Sequence, residues 1–194
     1  MSALKTVLVT VLAGVLSIGI AVLGERWLGG DSDNPLGRDD QGPLSTLPAL
    51  RLPDIEGREF SSREWAGKVV VLHYWATWCP VCLEQLAQLD EQARRRAQAP
   101  LEVFGVAIDG RDEVTRFLAD RPVAYPILIG NAESVTMAKR LGNRLGILPF
   151  TAIFDRAGRV AFTQAGEIAP GIVDEQIARL LTVDNRGENP PIRR

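Results

Sequence analysis

Trp75-Ala76-Thr77-Trp78-Cys79-Pro80-Val81-Cys82 is the stretch that decides the fold. Before it runs Val69-Val70-Val71-Leu72-His73-Tyr74-Trp75, a continuous segment with the pattern of a central strand buried on both faces. After it, Cys82, Leu86, Leu89 and Ala93 recur at helical spacing and form one stripe of a helix. Strand and helix therefore meet at Cys79. Pro80 falls at the first helical position, where its missing N–H costs nothing.

Outward from this junction the periods alternate. Leu101 to Ile108 reads as a second buried strand, Val114, Phe117 and Leu118 as a helix, and Pro126 to Ile129 as a short strand. Val135, Ala138 and Leu141 mark a helix closed by Gly142. Thr151 to Phe154 and Val160 to Thr163 flank Asp155-Arg156-Ala157-Gly158, a hairpin signal. Val173, Ile177, Leu180 and Leu181 give a last helix. The order predicts an α/β domain with a mixed sheet and helices on both faces. Leu50 to Phe60, turning at Glu56-Gly57, adds a small N-terminal hairpin.

The ends differ in kind. Val7 to Leu23 carries no charge, follows Lys5 and precedes Glu25 and Arg26. Its length sits at the lower limit for spanning a bilayer, and the positive charge before it orients the rest outward. Residues 1–28 are therefore expected to be a signal anchor, a single transmembrane helix. Gly19-Ile20-Ala21 leaves open a cleaved signal peptide. Either way the domain works outside the cytoplasm, where disulfide chemistry is possible. Residues 29–48, rich in Gly, Asp, Asn, Pro and Ser, read as a flexible tether, and 184–194 as a disordered tail. The folded domain is expected over 49–183.

Composition narrows the chemistry. The 194 residues carry 22 basic and 24 acidic side chains, two cysteines and one histidine, with 46% hydrophobic residues. Near-balanced charge argues against a nucleic-acid-binding face, and the apolar share excludes a disordered chain. Two cysteines cannot build a disulfide framework, nor with one histidine supply the four ligands of a structural zinc site without help from carboxylates. Both lie in Cys79-Pro80-Val81-Cys82.

Cys79 at the helix start places its sulfur beside unpaired N–H groups and the positive end of the dipole. That setting favours a thiolate, with a pKa lowered from about 8.5 into the range of roughly 3.5 to 7.5. Cys82, one turn on and further from solvent, is placed to resolve a mixed disulfide. This is the equipment of thiol–disulfide exchange. A purely structural disulfide would close only a few residues and remove little chain entropy. Haem attachment requires a histidine after the second cysteine, where Leu83 stands. A transient Cu(I) or Zn(II) thiolate site stays open, although Met1 and Met137 are the only methionines.

The segment Trp75 to Cys82 resembles the thioredoxin superfamily, and within it the membrane-tethered TlpA/ResA-type thiol–disulfide oxidoreductases of bacterial envelopes. Gly146-Ile147-Leu148-Pro149-Phe150-Thr151, followed by Phe154-Asp155-Arg156-Ala157-Gly158-Arg159, is similar to the family's cis-proline loop, strand and hairpin turn. Leu50-Pro53-Asp54 with Gly57, and Gly67-Lys68-Val69-Val70, resemble its N-terminal hairpin and lead-in. The long stretch from Cys79 to Pro149 has room for the strand–helix unit that these proteins insert into the thioredoxin fold. The resemblance implies that Cys79 is the attacking nucleophile, that Cys82 is the resolving thiol, and that Pro149 carries a cis bond beside the sulfurs. Only before proline is a cis bond inexpensive. Leu148 would then offer its backbone to a client strand, with Trp78 and Pro80 beside the nucleophile.

Departures from the family pattern concern proton transfer. Gln85 stands where many members carry a glutamate, and the nearest acid is Glu84, rotated about 100° around the helix. Ala87 replaces a frequent proline. His73 occupies the position of the buried acid of thioredoxins, on the same strand face as Trp75. It reads either as a proton relay for the resolving thiol or as a core histidine satisfied by backbone. Trp75 and Trp65 read as core, and Arg94-Arg95-Arg96 as a solvated face. A peroxiredoxin would carry threonine where Ala76 stands.

The expectation is a monomeric enzyme of the bacterial inner membrane with its catalytic domain in the periplasm, or secreted there if the leader is cleaved. It would need no cofactor or metal beyond the redox-active Cys79–Cys82 pair. Its partners would be disulfide-bearing client proteins and a membrane thiol donor, with reduction of clients as its direction. Oxidation or isomerisation by the same thiols, and non-enzymatic copper or apoprotein delivery, are the alternatives.

Overall fold

A computed structural model describes residues 43–182. The expected membrane helix, most of the tether and the tail lie outside these residues. Among the described residues no helix is long and apolar enough to cross a membrane.

A two-stranded hairpin, β1 (Arg51–Pro53) and β2 (Glu59–Ser61), precedes a 3-10 turn at Ser62–Trp65. Then follow β3 (Val69–Trp75), α1 (Pro80–Arg95), β4 (Leu101–Ala107), α2 (Arg111–Asp120), β5 (Ile127–Ile129), α3 (Ala132–Arg140), β6 (Phe150–Phe154), β7 (Val160–Ala165) and α4 (Ile172–Thr182). The main sheet has the order β5-β4-β3-β6-β7. The β3–β4 and β4–β5 pairs are parallel, while β3–β6 and β6–β7 are antiparallel. The sheet is mixed, as its sequence pattern predicts.

β3 is the middle strand, and all seven of its residues are buried. Val69, Val71 and Trp75 pack with Leu86 and Leu89 of α1, Val114 of α2 and Ile177 of α4. Val70, Leu72 and Tyr74 face the other way, onto Leu52 of β1, Trp65, and Met137 and Ala138 of α3. Helices thus cover both faces. Trp65 stacks on Phe104 at 4.2 Å between ring centres. With period-two alternation, His73 falls on the α1 side, directly below the end of the strand.

Both hairpins turn on one local device, Asp-x-x-Gly-Arg. In Asp54 to Arg58, the carboxylate accepts the N–H groups of Glu56 and Arg58 and the Arg58 Nε–H, while Gly57 takes φ 87°. In Asp155 to Arg159, it accepts the N–H groups of Ala157 and Arg159 and the Arg159 Nε–H, with Gly158 at φ 75°. Only glycine enters that left-handed region without strain. The aspartate satisfies turn amides that the strands leave unpaired.

Three expectations need correction. The domain starts before residue 49. Leu44 N–H donates to Arg140 O at 2.9 Å, Leu47 N–H to Gly158 O at 2.7 Å, and Val160 N–H to Ser45 O at 2.8 Å. The end of the expected tether is therefore bonded into the fold. On α1 the buried face is Cys82, Gln85, Leu86, Leu89 and Gln92, with Ala93 only half-buried. Counting apolar residues alone misses two buried glutamines. On α3, Ser134, Met137 and Ala138 are buried while Val135 is half-buried. Ser134 goes in because it closes a reciprocal cap with Asn131.

Arg94-Arg95-Arg96 is also more than a solvated face. Arg95 and Arg96 both bond the Asp174 carboxylate, at 3.0 and 2.7 Å, tying the end of α1 to the start of α4. Arg96 above all, with burial opposing, holds the Asp174 carboxyl below its usual range.

Candidate active site

The parallel strands β3 and β4 end side by side, and the chain leaves β3 into the turn that starts α1. Cys79 is the N-cap of α1 in an extended conformation, with Pro80 as the first helical residue. The Cys82 N–H donates to Cys79 Sγ at 3.3 Å, so the sulfur does the work that a serine or aspartate oxygen does at other helix starts. The two cysteines form a disulfide with Cα atoms 5.3 Å apart. Cys79 is 7% exposed and Cys82 not at all. Client access is therefore to Cys79, on geometry alone.

The surface around Cys79 is apolar. Trp78 is 68% exposed and Val81 37%, against 0% for Trp75. The Leu148–Pro149 bond is cis. Pro149 is buried, and its carbonyl accepts the Gly166 N–H at 2.8 Å. Leu148 is half-buried, and its own N–H and C=O make no hydrogen bond among the described residues.

The loop before it is pinned by Asn143. Its buried side chain donates to Ile147 O and accepts Ile147 N–H, both at 2.9 Å. The loop so fixed carries Leu145 and Ile147 outward.

A second pin was not apparent from the sequence. Asp109, just after β4, accepts both the N–H (3.1 Å) and the hydroxyl of Thr77, while its other oxygen accepts Gly110 N–H. Burial pushes its carboxyl up, but the Thr77 and Gly110 donors outweigh that and hold it below its usual range. Thr77 is two residues before Cys79, so this bond holds the turn that presents Trp78 and the nucleophile. The available clue was an acidic residue at the end of a strand that lies parallel to β3 and ends beside it.

The candidate proton-transfer residues separate. Glu84 is exposed, whereas Gln85 is 4% exposed on the Cys82 face. Neither the amide nitrogen nor the amide oxygen of Gln85 has a partner among the described residues. His73 is fully buried. Its Nδ1 lies 3.0 Å from Thr151 Oγ1, and Nε2 forms no hydrogen bond of good geometry. The partner is a side chain rather than backbone, supplied by the residue opposite His73 in the β3–β6 register. Burial pushes the His73 pKa down to about 4, against a smaller opposing effect of the Cys82 backbone, so the ring is neutral at pH 7. No cluster of three or more metal-ligating side chains occurs among the described residues.

Known proteins share this architecture. The chain is 30% identical over 117 residues to the thiol-disulfide oxidoreductase ResA of Geobacillus thermodenitrificans, covering 60% of this chain and 65% of that protein. It is 29% identical over 140 residues to the thiol:disulfide interchange protein DsbE of Vibrio cholerae, covering 70% and 71%. The chain thus spans just under two thirds of the length of that ResA relative. A thioredoxin-family thiol:disulfide interchange protein from Chlorobium tepidum superimposes with a TM-score of 0.65 at 21% identity, over 71% of this chain and 96% of that one. The Redoxin family profile matches residues 44–181, the same limits within which the backbone is bonded into one domain. The fold is thioredoxin-like, and the chain belongs to the Redoxin family.

Proposed function

We propose that this protein is a thiol–disulfide oxidoreductase that reduces disulfides in client proteins through Cys79 and Cys82. The observation that carries this reading is the placement of Cys79. Its sulfur caps a helix and accepts a backbone N–H, beside the exposed Trp78 and Val81 and at the same end of the sheet as the Leu148–Pro149 loop. A structural disulfide has no need of the exposed Trp78 or of the unused Leu148 amide and carbonyl.

In the reduced protein the Cys79 thiolate attacks one sulfur of a client disulfide, and the other client sulfur leaves as a thiolate. Cys82 then loses its proton and attacks Cys79 Sγ, which breaks the mixed disulfide. The client leaves with both sulfurs reduced, and the protein keeps the Cys79–Cys82 disulfide. The two electrons gained by the client come from the dithiol. A client segment can pair with Leu148 as an added strand while its side chains lie on Trp78 and Val81.

The resemblance to ResA and DsbE, together with the uncharged run from Val7 to Leu23, supports work at the bacterial inner membrane facing the periplasm, with a membrane thiol donor restoring the dithiol. The test is trapping. Cys82→Ala should accumulate mixed disulfides with envelope proteins through Cys79, and the wild-type chain should reduce insulin. Absence of any cysteine-dependent adduct would sink the exchange reading. A potential well above that of the client disulfides would reverse its direction, since 30 mV is about 1.4 kcal/mol for a two-electron couple.

A further inference from the structure

The backbone ladder between β3 and β4 ends at the pair Trp75 and Ala107, where Ile108 N–H donates to Trp75 O at 2.8 Å. Two residues beyond that pair stand Thr77 on one strand end and Asp109 on the other. Their contact continues the ladder at the same offset, because Asp109 accepts both the Thr77 N–H, at 3.1 Å, and its hydroxyl. Cys79 follows two residues later, and its N–H donates back to Ala76 O at 3.2 Å.

Asp109 is otherwise poorly placed, on two counts. An aspartate at a helix start ordinarily caps the helix. Here Gly110 is the N-cap of α2, and no side chain caps that end. Asp109 also sets a negative charge on the order of 10 Å from the Cys79 sulfur, which disfavours a thiolate there. Arg111 is engaged elsewhere: its Nη1 donates to Asp54 O and Ile55 O, both at 2.8 Å. Those carbonyls belong to the turn of the N-terminal hairpin, which Asp54 joins to the main sheet through a bridge to Leu128 of β5.

Resting on the exchange reading above, we propose that Asp109-Gly110-Arg111 is a brace by which the N-terminal hairpin holds the redox turn, with Asp109 and Arg111 as positioning residues for Cys79. Arg111 fixes the segment on the hairpin, and Asp109 fixes Thr77 to the segment. The held turn keeps Cys79 extended at the N-cap, the geometry in which its sulfur accepts the Cys82 N–H at 3.3 Å. Alignment with that donor and the helix dipole favours the thiolate more than the Asp109 charge disfavours it. Of the other charged groups on adjoining elements, Asp112 and Glu113 are exposed on α2, with Glu113 paired to Arg116 at 2.9 Å. Glu84 on α1 and Glu167 after β7 are exposed, and His73 on β3 is neutral at pH 7. Asp109 is the one that bonds Thr77.

The test is the pH profile of iodoacetamide alkylation of the reduced full-length chain, with the adduct located by mass spectrometry. Cys79 is the accessible thiol, since Cys82 has no exposure. Acting by charge alone, Asp109→Ala would lower the apparent pKa of Cys79. The brace requires the reverse: Asp109→Ala and Thr77→Val each raise it by about half a unit or more, about a threefold loss of rate below the pKa. Thr77→Ser keeps the wild-type profile. Arg111→Ala shifts the profile the same way, but adds nothing to Asp109→Ala, because both act through one tie. Loss of the Arg111 charge alone would add in full. Arg116→Ala, which removes a cation from the same helix, is the control and leaves the profile unchanged. A lowered or unchanged pKa in either Asp109→Ala or Thr77→Val, or an Arg111→Ala effect that is absent or fully additive, would overturn the brace. Should the variants fail to fold, hydrogen exchange of the Thr77 amide in the reduced wild-type protein decides. Protection like that of the β3 amides supports the brace, and exchange at the rate of an open loop refutes it. A wild-type chain whose Cys79 alkylates but which never reduces insulin would instead overturn the exchange reading itself.

Discussion

The single histidine makes one consequence of the buried site measurable in isolation. His73 is neutral and fully buried, with its pKa moved from 6.5 to about 4. In the unfolded chain it takes a proton below pH 6.5, and in the folded chain only near pH 4. Between those values the unfolded state binds more protons, so stability rises with pH across the window. The contribution is complete above pH 6.5, falls as pH drops toward 4, and changes no further below that. A gap of about 2.5 pK units at 1.36 kcal/mol each amounts to roughly 3 kcal/mol. No other side chain ordinarily titrates between pH 5 and 6.5, and the chain has no second histidine. The assay is urea denaturation of the oxidised protein at half-unit steps from pH 4 to 7.5, wild type against His73→Leu. Carboxylates contribute equally to both proteins, so the difference isolates His73. Wild type should lose roughly 2 kcal/mol more than the variant between pH 6.5 and 5. Parallel curves would mean that the imidazole is hydrated or charged in the fold, and the burial argument would fall with them.

Asp109→Ala removes the acceptor for the Thr77 N–H and hydroxyl, and should cost about 1–3 kcal/mol in urea denaturation. It should also slow insulin reduction, because the turn carrying Trp78 and Cys79 loses its tie to β4. Gln85→Leu is expected to raise stability by about 1 kcal/mol or more, because it replaces a buried amide without partners by an apolar group of similar size. A thermal melt of the oxidised protein checks this, and a lower melting temperature would show that the amide is fully satisfied by water.

The parts of the fold legible in the sequence are those set by local physics. The continuous apolar run of β3, the proline after Cys79 and the Asp-Arg-Ala-Gly turn each act within a few residues, and each stands where its pattern predicts. The cis bond at Pro149 came from resemblance rather than from any rule about spacing. What stayed hidden depends on register and on polar burial. Thr151 meets His73 because β6 pairs antiparallel with β3 at that offset, and nothing within either strand specifies the offset. Asp109 reaches Thr77 across two parallel strands for the same reason. Gln85 and Gln92 count as surface in any apolar periodicity, so the face they share with Cys82 looked narrower than it is. Leu44 to Leu47 resemble tether in composition, yet their backbone pairs with the β6–β7 turn and α3.

The buried histidine and glutamine bear on how the potential is set. A carboxylate beneath Cys82 would repel the thiolate that forms when the disulfide opens, and so raise its pKa. A neutral imidazole and a neutral amide add no such charge. The thiolate at Cys79 is then governed mainly by what the helix start supplies, namely the Cys82 N–H at 3.3 Å and the dipole behind it. Cys82 has no exposure, so it acts on the mixed disulfide at Cys79 and not on a client directly. An apolar residue at position 73 or 85 would pack at lower cost, since an unpartnered buried polar group costs about 1–3 kcal/mol. A chain that keeps both polar groups behind its only disulfide gives up stability at that place.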